Sequence, residues 1–364
     1  MGRGEEIRDE IELMTMLRLP DKEIAKAEAL LAKINQIEQR LSGKVTLKLG
    51  VGRANNVNSW PDNGELTRGG LNYPLPDPVY QKFKPVKDTI VEGQFVLSGS
   101  YKLNDAGSVA SDFSFLSKVK DGRKTASADQ RYNFGNFGLR KSFASGFSLK
   151  GGVSKGHLNR VNEHKGESLN SDLSKTGMNL DASNKITNSL TVSYRASSTK
   201  NDYSKVKSAD LSDAKTNSHR VYLGAPFGQS TYLRGSLVTS KARSNLGKDT
   251  AANHVKSREW VNKHTRGISV LAFFLLPRDQ RLIGTATLNR VKFKKQMVDT
   301  AKPRRDNVAS VTLGYSIKGV QVWSRMDGLS LGLDASYSKT GSNQASAKIK
   351  SKTFMFSVSK SFNL

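Results

Sequence analysis

The sequence has no cysteine, which excludes thiolate metal sites, disulfide scaffolds and thiol catalysis. It has no long apolar run either. The longest, Ile268 to Leu276, is interrupted by Ser269 and falls far short of the roughly 20 residues that a membrane-crossing helix needs. A helical membrane protein is therefore excluded. Apolar residues make up only 36% of the 364, against about 45–50% in an ordinary soluble domain. Acidic residues are scarce as well: 32 Asp and Glu stand beside 58 Lys and Arg, a net charge of +26. That excess asks for anionic surroundings, whether nucleic acid, lipid head groups or anionic solutes. Disorder would suit the charge but not the regular apolar alternation that fills most of the chain.

The first dozen residues are charged and contain no apolar segment of signal-peptide type. An exported protein with this sequence is expected to have lost its leader. Residues 5–17 and 22–41 read as helices. Asp21 can cap the second, and Ile24, Ala27, Leu30, Leu31, Ile34, Ile37 and Leu41 recur at spacings of mostly three and four before Ser42-Gly43 ends it. Residues 1–43 are thus expected to form a short helical segment, set on a separate domain over 44–364.

From Lys44 the period changes to two. Val45, Leu47, Leu49 and Val51 alternate with Lys44, Thr46, Lys48 and Gly50, and Leu329, Leu331, Leu333, Ala335 and Tyr337 alternate with Ser330, Gly332, Asp334, Ser336 and Ser338. Fourteen such segments fall near 44–53, 90–103, 108–118, 131–143, 146–155, 173–182, 186–198, 216–226, 229–241, 264–276, 280–293, 307–317, 328–339 and 350–362. Most have ten residues or slightly more, the length of a tilted strand crossing a bilayer. Short turns such as Ala144-Ser145 and Phe227-Gly228 alternate with long connections near 54–89, 119–130, 156–172, 199–215, 242–263, 294–306 and 340–349.

That rhythm of short and long connections belongs to an outer-membrane barrel, with tight periplasmic turns and long external loops. A soluble sandwich shares the alternation, but its strands average about 5–6 residues. The expected fold is all-β, a 14-stranded antiparallel transmembrane barrel in the bacterial outer membrane. Phe143, Phe147, Tyr101, Tyr194, Phe227, Tyr232, Tyr315, Trp323 and Tyr337 lie toward strand ends, where an interfacial girdle would place them.

Basic residues cluster in the stretches assigned to long loops, Lys241 to Arg266 and Lys292 to Arg305. There they can pair with lipopolysaccharide phosphates. Others fall on the polar faces of strands: Lys48, Lys102, Lys150, Arg195 and Arg234. If those faces line a lumen, it is cationic, and these five are the expected client or lumen contacts. Nucleic acid is not expected as a partner, since no binding module is visible. His157, His164, His219, His254 and His264 read as solvated residues in or beside loops. No Ser/His/acid set and no phosphate loop is apparent, so neither enzyme activity nor a cofactor or metal is expected.

The last strand, with Phe354, Phe356, Val358 and Phe362 alternating against polar residues, resembles the C-terminal signal read by the barrel-assembly machinery. Two further places resemble the surface lipoprotein assembly modifier (Slam) family. One is the passage from Ile34 through Lys44–Gly52 to Asn55, Asn56, Val57 and Asn58, similar to that family's helix, first strand and "SNVN" element. The other is the final hairpin with Ser342-Asn343 between its strands. The resemblance implies a fourteen-stranded barrel that delivers a surface lipoprotein or a secreted haem-binding-type protein across the outer membrane. Its partner would be a polypeptide client, an acidic one matching a cationic lumen. The same wall would also serve a passive anion-selective porin, in which the proline-containing loop 54–89 forms the constriction. A surface adhesin would use loops 242–263 and 294–306 instead.

Overall fold

In a computed structural model the described residues are 40–57, 84–104, 106–123, 129–164, 167–187, 189–204, 214–244, 262–294, 302–323, 326 and 328–364, with the backbone of 65–68 and 71–74. The helices expected before residue 40 lie outside them. The strands are β1 (Leu41–Ala54), β2 (Glu65–Arg68), β3 (Leu71–Pro74), β4 (Asp88–Lys102), β5 (Val109–Gly122), β6 (Gln130–Ser142), β7 (Phe147–His164) and β8 (Glu167–Thr187). They continue with β9 (Leu190–Ser204), β10 (Ala214–Phe227), β11 (Thr231–Ser244), β12 (Lys263–Leu276), β13 (Gln280–Phe293), β14 (Arg305–Lys318), β15 (Leu329–Ser342) and β16 (Ile349–Asn363).

Fourteen of these close into one antiparallel barrel, each paired with its neighbours in the chain, and β1 completes the ring by pairing with both β4 and β16. The small hairpin β2–β3 stands apart, within the first long connection. Ser42 and Gly43, expected to stop a helix, are already strand and pair with Ser100 and Gly99.

Alternation dictates the two surfaces. Leu49 is 70% exposed, Met178 65% and Leu237 63%, and each shares its outward parity with the apolar residues of its strand. Water would penalise such a girdle of large apolar side chains, whereas hydrocarbon accepts it, and closure satisfies every backbone rung without leaving an edge. The molecule is a transmembrane β-barrel of the outer membrane. Its long-loop end is accordingly external and its short-turn end periplasmic.

The turns follow local chemistry. Arg278 and Asp279 both have positive φ, at 59° and 57°, as the two central residues of a mirror-image hairpin turn require. Lys318 from the next hairpin lies 2.6 Å from the Asp279 carboxylate and holds its pKa below the usual value. Between β14 and β15 a one-turn 3-10 helix, Gly319–Gln321, fills the longest periplasmic connection, and Trp323 stands exposed beside it.

The external ends of several strand pairs finish alike. The Asn55 N–H donates to the Lys352 carbonyl at 3.1 Å, and the Lys352 N–H donates back to Asn55 Oδ1 at 2.6 Å. Asn343 does the same with Arg305, its N–H reaching the carbonyl at 3.2 Å and its Oδ1 accepting at 2.7 Å. Asn262 Oδ1 accepts from the Ser244 N–H, and Asp129 Oδ1 from the Gly122 N–H, both at 2.8 Å. In each case a side-chain oxygen replaces the backbone carbonyl of the next rung, so pairing ends without an orphaned donor.

Two expectations are corrected. Residues 156–172, read as a long loop, are mostly hairpin: β7 and β8 stay paired out to His164 and Glu167. Above the membrane neither face needs apolar residues, so alternation fades while the backbone ladder continues. Arg243, Lys263 and Arg305, which fell in the stretches read as loops 242–263 and 294–306, also prove to be strand. Lys241, Arg243, Arg266 and Lys292 share the outward parity of Leu237, Ile268 and Leu288, while Lys263 faces inward.

Candidate functional site: the lumen wall

Rung pairing carries the inward parity around the ring. Lys48, Lys118, Lys120, Arg140, Lys150, Lys175, Arg195, Arg220, Arg234, Lys263 and Arg281 face the lumen, against Asp88, Glu92, Asp112, Asp181, Asp306 and Asp334. Lys44, Lys102, Lys185 and Lys318 share this parity near the periplasmic ends of their strands, so among the described strand residues the inward cations outnumber the carboxylates by more than two to one. The interior is wet: the Arg195 side chain is 51% exposed. Even the inward Ile283 is 43% exposed.

Five of the inward carboxylates are each tied to a cation on another strand or beside it. Asp112 on β5 accepts from Lys150 on β7 at 2.7 Å and lies 3.4 Å from Arg140 on β6. Asp334 on β15 takes Lys48 from β1 at 2.9 Å, a contact that passes over β16. It can do so because Gly50, Ser357 and Gly332 form a rung of small residues between the two. Glu92 pairs with Lys118 at 2.7 Å, Asp181 with Arg195, and Asp306 with Arg304 at 2.6 Å. Asp112 serves two bases and the other four one each, so positive charge is left over.

The surplus gathers on one side. A cavity of about 300 Å³ in the wall of β6–β11 is lined by Arg140, Lys150, Asp181, Arg195, Tyr222, Tyr232 and Arg234, with Ser148, Ser183, Thr191 and Ser193 between them. Arg140, Lys150, Asp181, Arg195 and Arg220 occupy a single continuous rung across five strands. Arg234 lies 5.1 Å and Arg220 5.7 Å from the Tyr222 ring centre, so both guanidinium groups are held by cation–π contact. Such an arrangement can hold a carboxylate, phosphate or other oxyanion with guanidinium forks while hydroxyls supply further donors.

Of the five expected contacts, Lys150, Arg195 and Arg234 come together in this cavity. Lys48 faces the lumen on its far side, paired with Asp334. Lys102, at the last position of β4, has inward parity but is exposed beside the β4–β5 turn, its stem lying toward Gly107. The sequence reading did not single out Arg140, Arg220 or Tyr222. Strand parity alone would have found them, since each alternates with outward Leu139, Val221 and Leu223. Tyr232, expected in the interfacial girdle, instead turns inward opposite Phe273.

The motif positions have structural roles. Asn56 donates to the Lys350 carbonyl at 3.0 Å, and the Val57 N–H donates to the Val86 carbonyl at 3.0 Å. Ser342 Oγ accepts from the Gln344 N–H at 3.1 Å, and Asn343 Nδ2 donates to the Pro303 carbonyl at 3.1 Å. Asn58 lies outside the described residues. Phe354, Phe356 and Phe362 on β16 point outward, 54%, 40% and 44% exposed, and Val358 shares their side. His219 and His264 are outward strand residues, and so is His157, which fell in a stretch read as loop. His254 lies outside the described residues, and among the described ones no group of three metal-ligating side chains occurs.

No protein-family model matches the chain, and no curated protein matches it in sequence. Solved structures do. OccK8 (OprE) of Pseudomonas aeruginosa is similar with a TM-score of 0.41 and 11% identity over 90% of this chain and 99% of that one. An anion-selective porin from Comamonas acidovorans matches at 0.41 and 10% identity, covering 88% and 99%. A BenF-like porin from Pseudomonas fluorescens Pf-5 matches at 0.41 and 10%, covering 90% and 99%. At such low identity and superposition these likenesses do not bear on what passes through the barrel.

Proposed function

We propose that the barrel is a passive, anion-selective diffusion pore. The observation that carries this reading is the cavity where Arg140, Lys150, Arg195 and Arg234 meet a single lining carboxylate, Asp181. A wet lumen with surplus fixed positive charge concentrates anions and repels cations before any specific contact forms. The surplus sits on the wall, so small acidic solutes would pass along a flank of the lumen, from one guanidinium to the next.

The alternative, a translocon delivering a lipoprotein or haem-binding-type client, draws its support from the Slam-like motif positions. Asn55, Asn56 and Asn343 give their side chains to backbone groups of the external rim, which favours a role in the wall over client contact. An adhesin reading concerns loops that fall mostly outside the described residues.

Single-channel recording in planar bilayers tests the proposal. The intact protein should conduct steadily, with a reversal potential in asymmetric potassium chloride on the anion side. Arg220→Gln with Arg234→Gln removes two charges that have no carboxylate partner among the described residues, and should lower the anion-to-cation permeability ratio about two- to threefold. Cation selectivity in the intact chain would overturn the porin. Silence relieved by deleting residues 1–41 would favour the translocon instead.

A further inference from the structure

We propose that the outer wall of β12–β16, at its external end, binds a phosphorylated, multiply acylated lipid of the outer leaflet. Its phosphates would occupy a basin of cations and its chains the two grooves beside it. The inference concerns the outside of the barrel and does not depend on what the lumen conducts.

Three outward rungs stack on this wall. The one nearest the membrane centre is apolar over β10–β14: Val221, Leu237, Ile268, Leu288 and Ala309. The next carries Arg266 and Arg290, directly paired, followed by Asn307 and Gly341. The third holds Lys241, His264, Lys292 and Arg305. Within two rungs the surface passes from hydrocarbon-compatible to strongly cationic. Charge at hydrocarbon depth is costly, so the middle rung marks the head-group level.

Past Ala309 the first rung itself turns cationic, at Lys339 and Lys350, and here lies a basin of about 650 Å³ lined by Arg290, Arg305, Lys339, Lys348 and Lys350, with Asn307 and Asn343 and, among the described residues, no acid. Cations gathered around one depression attract an anion, and a phosphate bound by guanidinium forks fits there. The basin opens on both sides into apolar grooves. One, of about 710 Å³, runs beneath Arg266 and Arg290 over Leu237, Ile268, Leu288 and Ala309. The other, of about 830 Å³, runs beneath Arg53, Lys350 and Lys352 over Val311, Leu313, Ala335 and Phe354. Ala309 and Ala335 stand where neighbouring rungs carry larger residues, and their small size opens the grooves. Arg290 lines the basin and the first groove, and Lys350 the basin and the second, so the three form one surface.

The opposite end of the same wall differs. Leu282, Tyr315, Leu333 and Phe356 form one outward rung there, and Ile317, Leu331 and Val358 another, both free of charge, and the last rung, Leu329 with Lys360, carries a single cation. This asymmetry selects the outer leaflet. It also selects a ligand carrying several phosphates above several chains, which is the chemistry of lipid A rather than of a single-phosphate phospholipid.

The test uses the purified, delipidated full chain in detergent, with bisphosphorylated hexa-acyl lipid A as probe and native mass spectrometry as readout. Lipid A should bind in preference to phosphatidylglycerol and to dephosphorylated lipid A, and inorganic phosphate should not displace it. Arg290→Gln, Arg305→Gln and Lys339→Gln together should weaken binding at least about tenfold, the worth of one charge-assisted contact. Ala309→Phe with Ala335→Phe keeps every cation but fills the grooves, and should also weaken lipid A binding. Heat-modifiable gel migration establishes that each variant is folded. Equal binding of phosphatidylglycerol, displacement by phosphate, or undiminished lipid A binding by both folded variants would each overturn the proposal.

Discussion

Asparagine side chains at the external rim do a backbone's work. Asn55 and Asn343 each complete one extra rung with a partner strand, at β16 and β14 respectively. Replacing Asn55 by Ala leaves the Lys352 N–H without that acceptor and should destabilise the folded barrel by about 1 kcal/mol. Urea unfolding from lipid vesicles measures it, and Asn55→Asp, which keeps the oxygen, should recover most of the loss. An unchanged midpoint for the Ala variant would mean that water replaces the rung without cost. At this scale the sequence was readable in parity but not in partnership. Lys48, Lys150, Arg195 and Arg234 could be turned inward by counting alternate positions. That Lys48 would reach Asp334 across β16, or that Lys150 would meet Asp112, depends on the stagger between strands, which no single strand encodes.

Strands were legible wherever the membrane imposes a pattern and less so beyond it. β13 was read at its observed bounds, 280–293, because Leu282, Gly284, Ala286 and Leu288 keep one outward parity along it. β7 and β8 were cut short, since past the apolar band their ladder persists on polar residues alone. The same limit hid Arg243, Lys263 and Arg305 at the external ends of β11, β12 and β14, which look like loop by composition. The first strand carries its own constraint. A Cβ on Gly52 would fall 2.3 Å from the Phe354 carbonyl oxygen and 2.9 Å from Met355 Cα, both backbone atoms of β16. Beside it Ala54, Val57, Ile90 and Met355 make a small buried cluster, with Ile90 fully enclosed. Gly52→Val should therefore cost about 1–3 kcal/mol through overpacking and lower the folded fraction. At Gly50 the nearest atom is the flexible Met355 Sδ, at 3.0 Å. Gly50→Ala should be tolerated better, and a gel-shift assay of refolding yield would rank the two. Equal yields would show that the β1–β16 contact yields to a side chain more readily than its geometry suggests.

For the whole molecule, charge and architecture act on different ranges. The architecture was legible because a bilayer demands one uniform outer surface and one closed sheet, and those demands recur in every strand. The loops and the N-terminal stretch answer to no such repeating rule, and only their lengths could be read. Selectivity is likewise a collective property. If it arises from surplus lumen charge, the anion-to-cation permeability ratio should fall as salt rises, since screening shortens to about 3 Å at molar ionic strength. Reversal potentials taken across a series of potassium chloride concentrations would reveal it. A ratio that stays constant would place selectivity in a narrow contact site instead.

The pairing of β1 with β16 fixes the order of events during synthesis. The strand made first finds its second neighbour only in the strand made last, from Lys44 opposite Asn363 to Ala54 opposite Thr353. Such a contact has nearly the greatest sequence separation the chain allows, and separations of that kind form late and slowly. Until the final residues are available, every intermediate is a sheet with two bare edges, prone to pair with whatever edge it meets. A chain shortened by one strand at its C-terminus is therefore not a narrower pore but an unsealed ribbon that must be escorted or degraded.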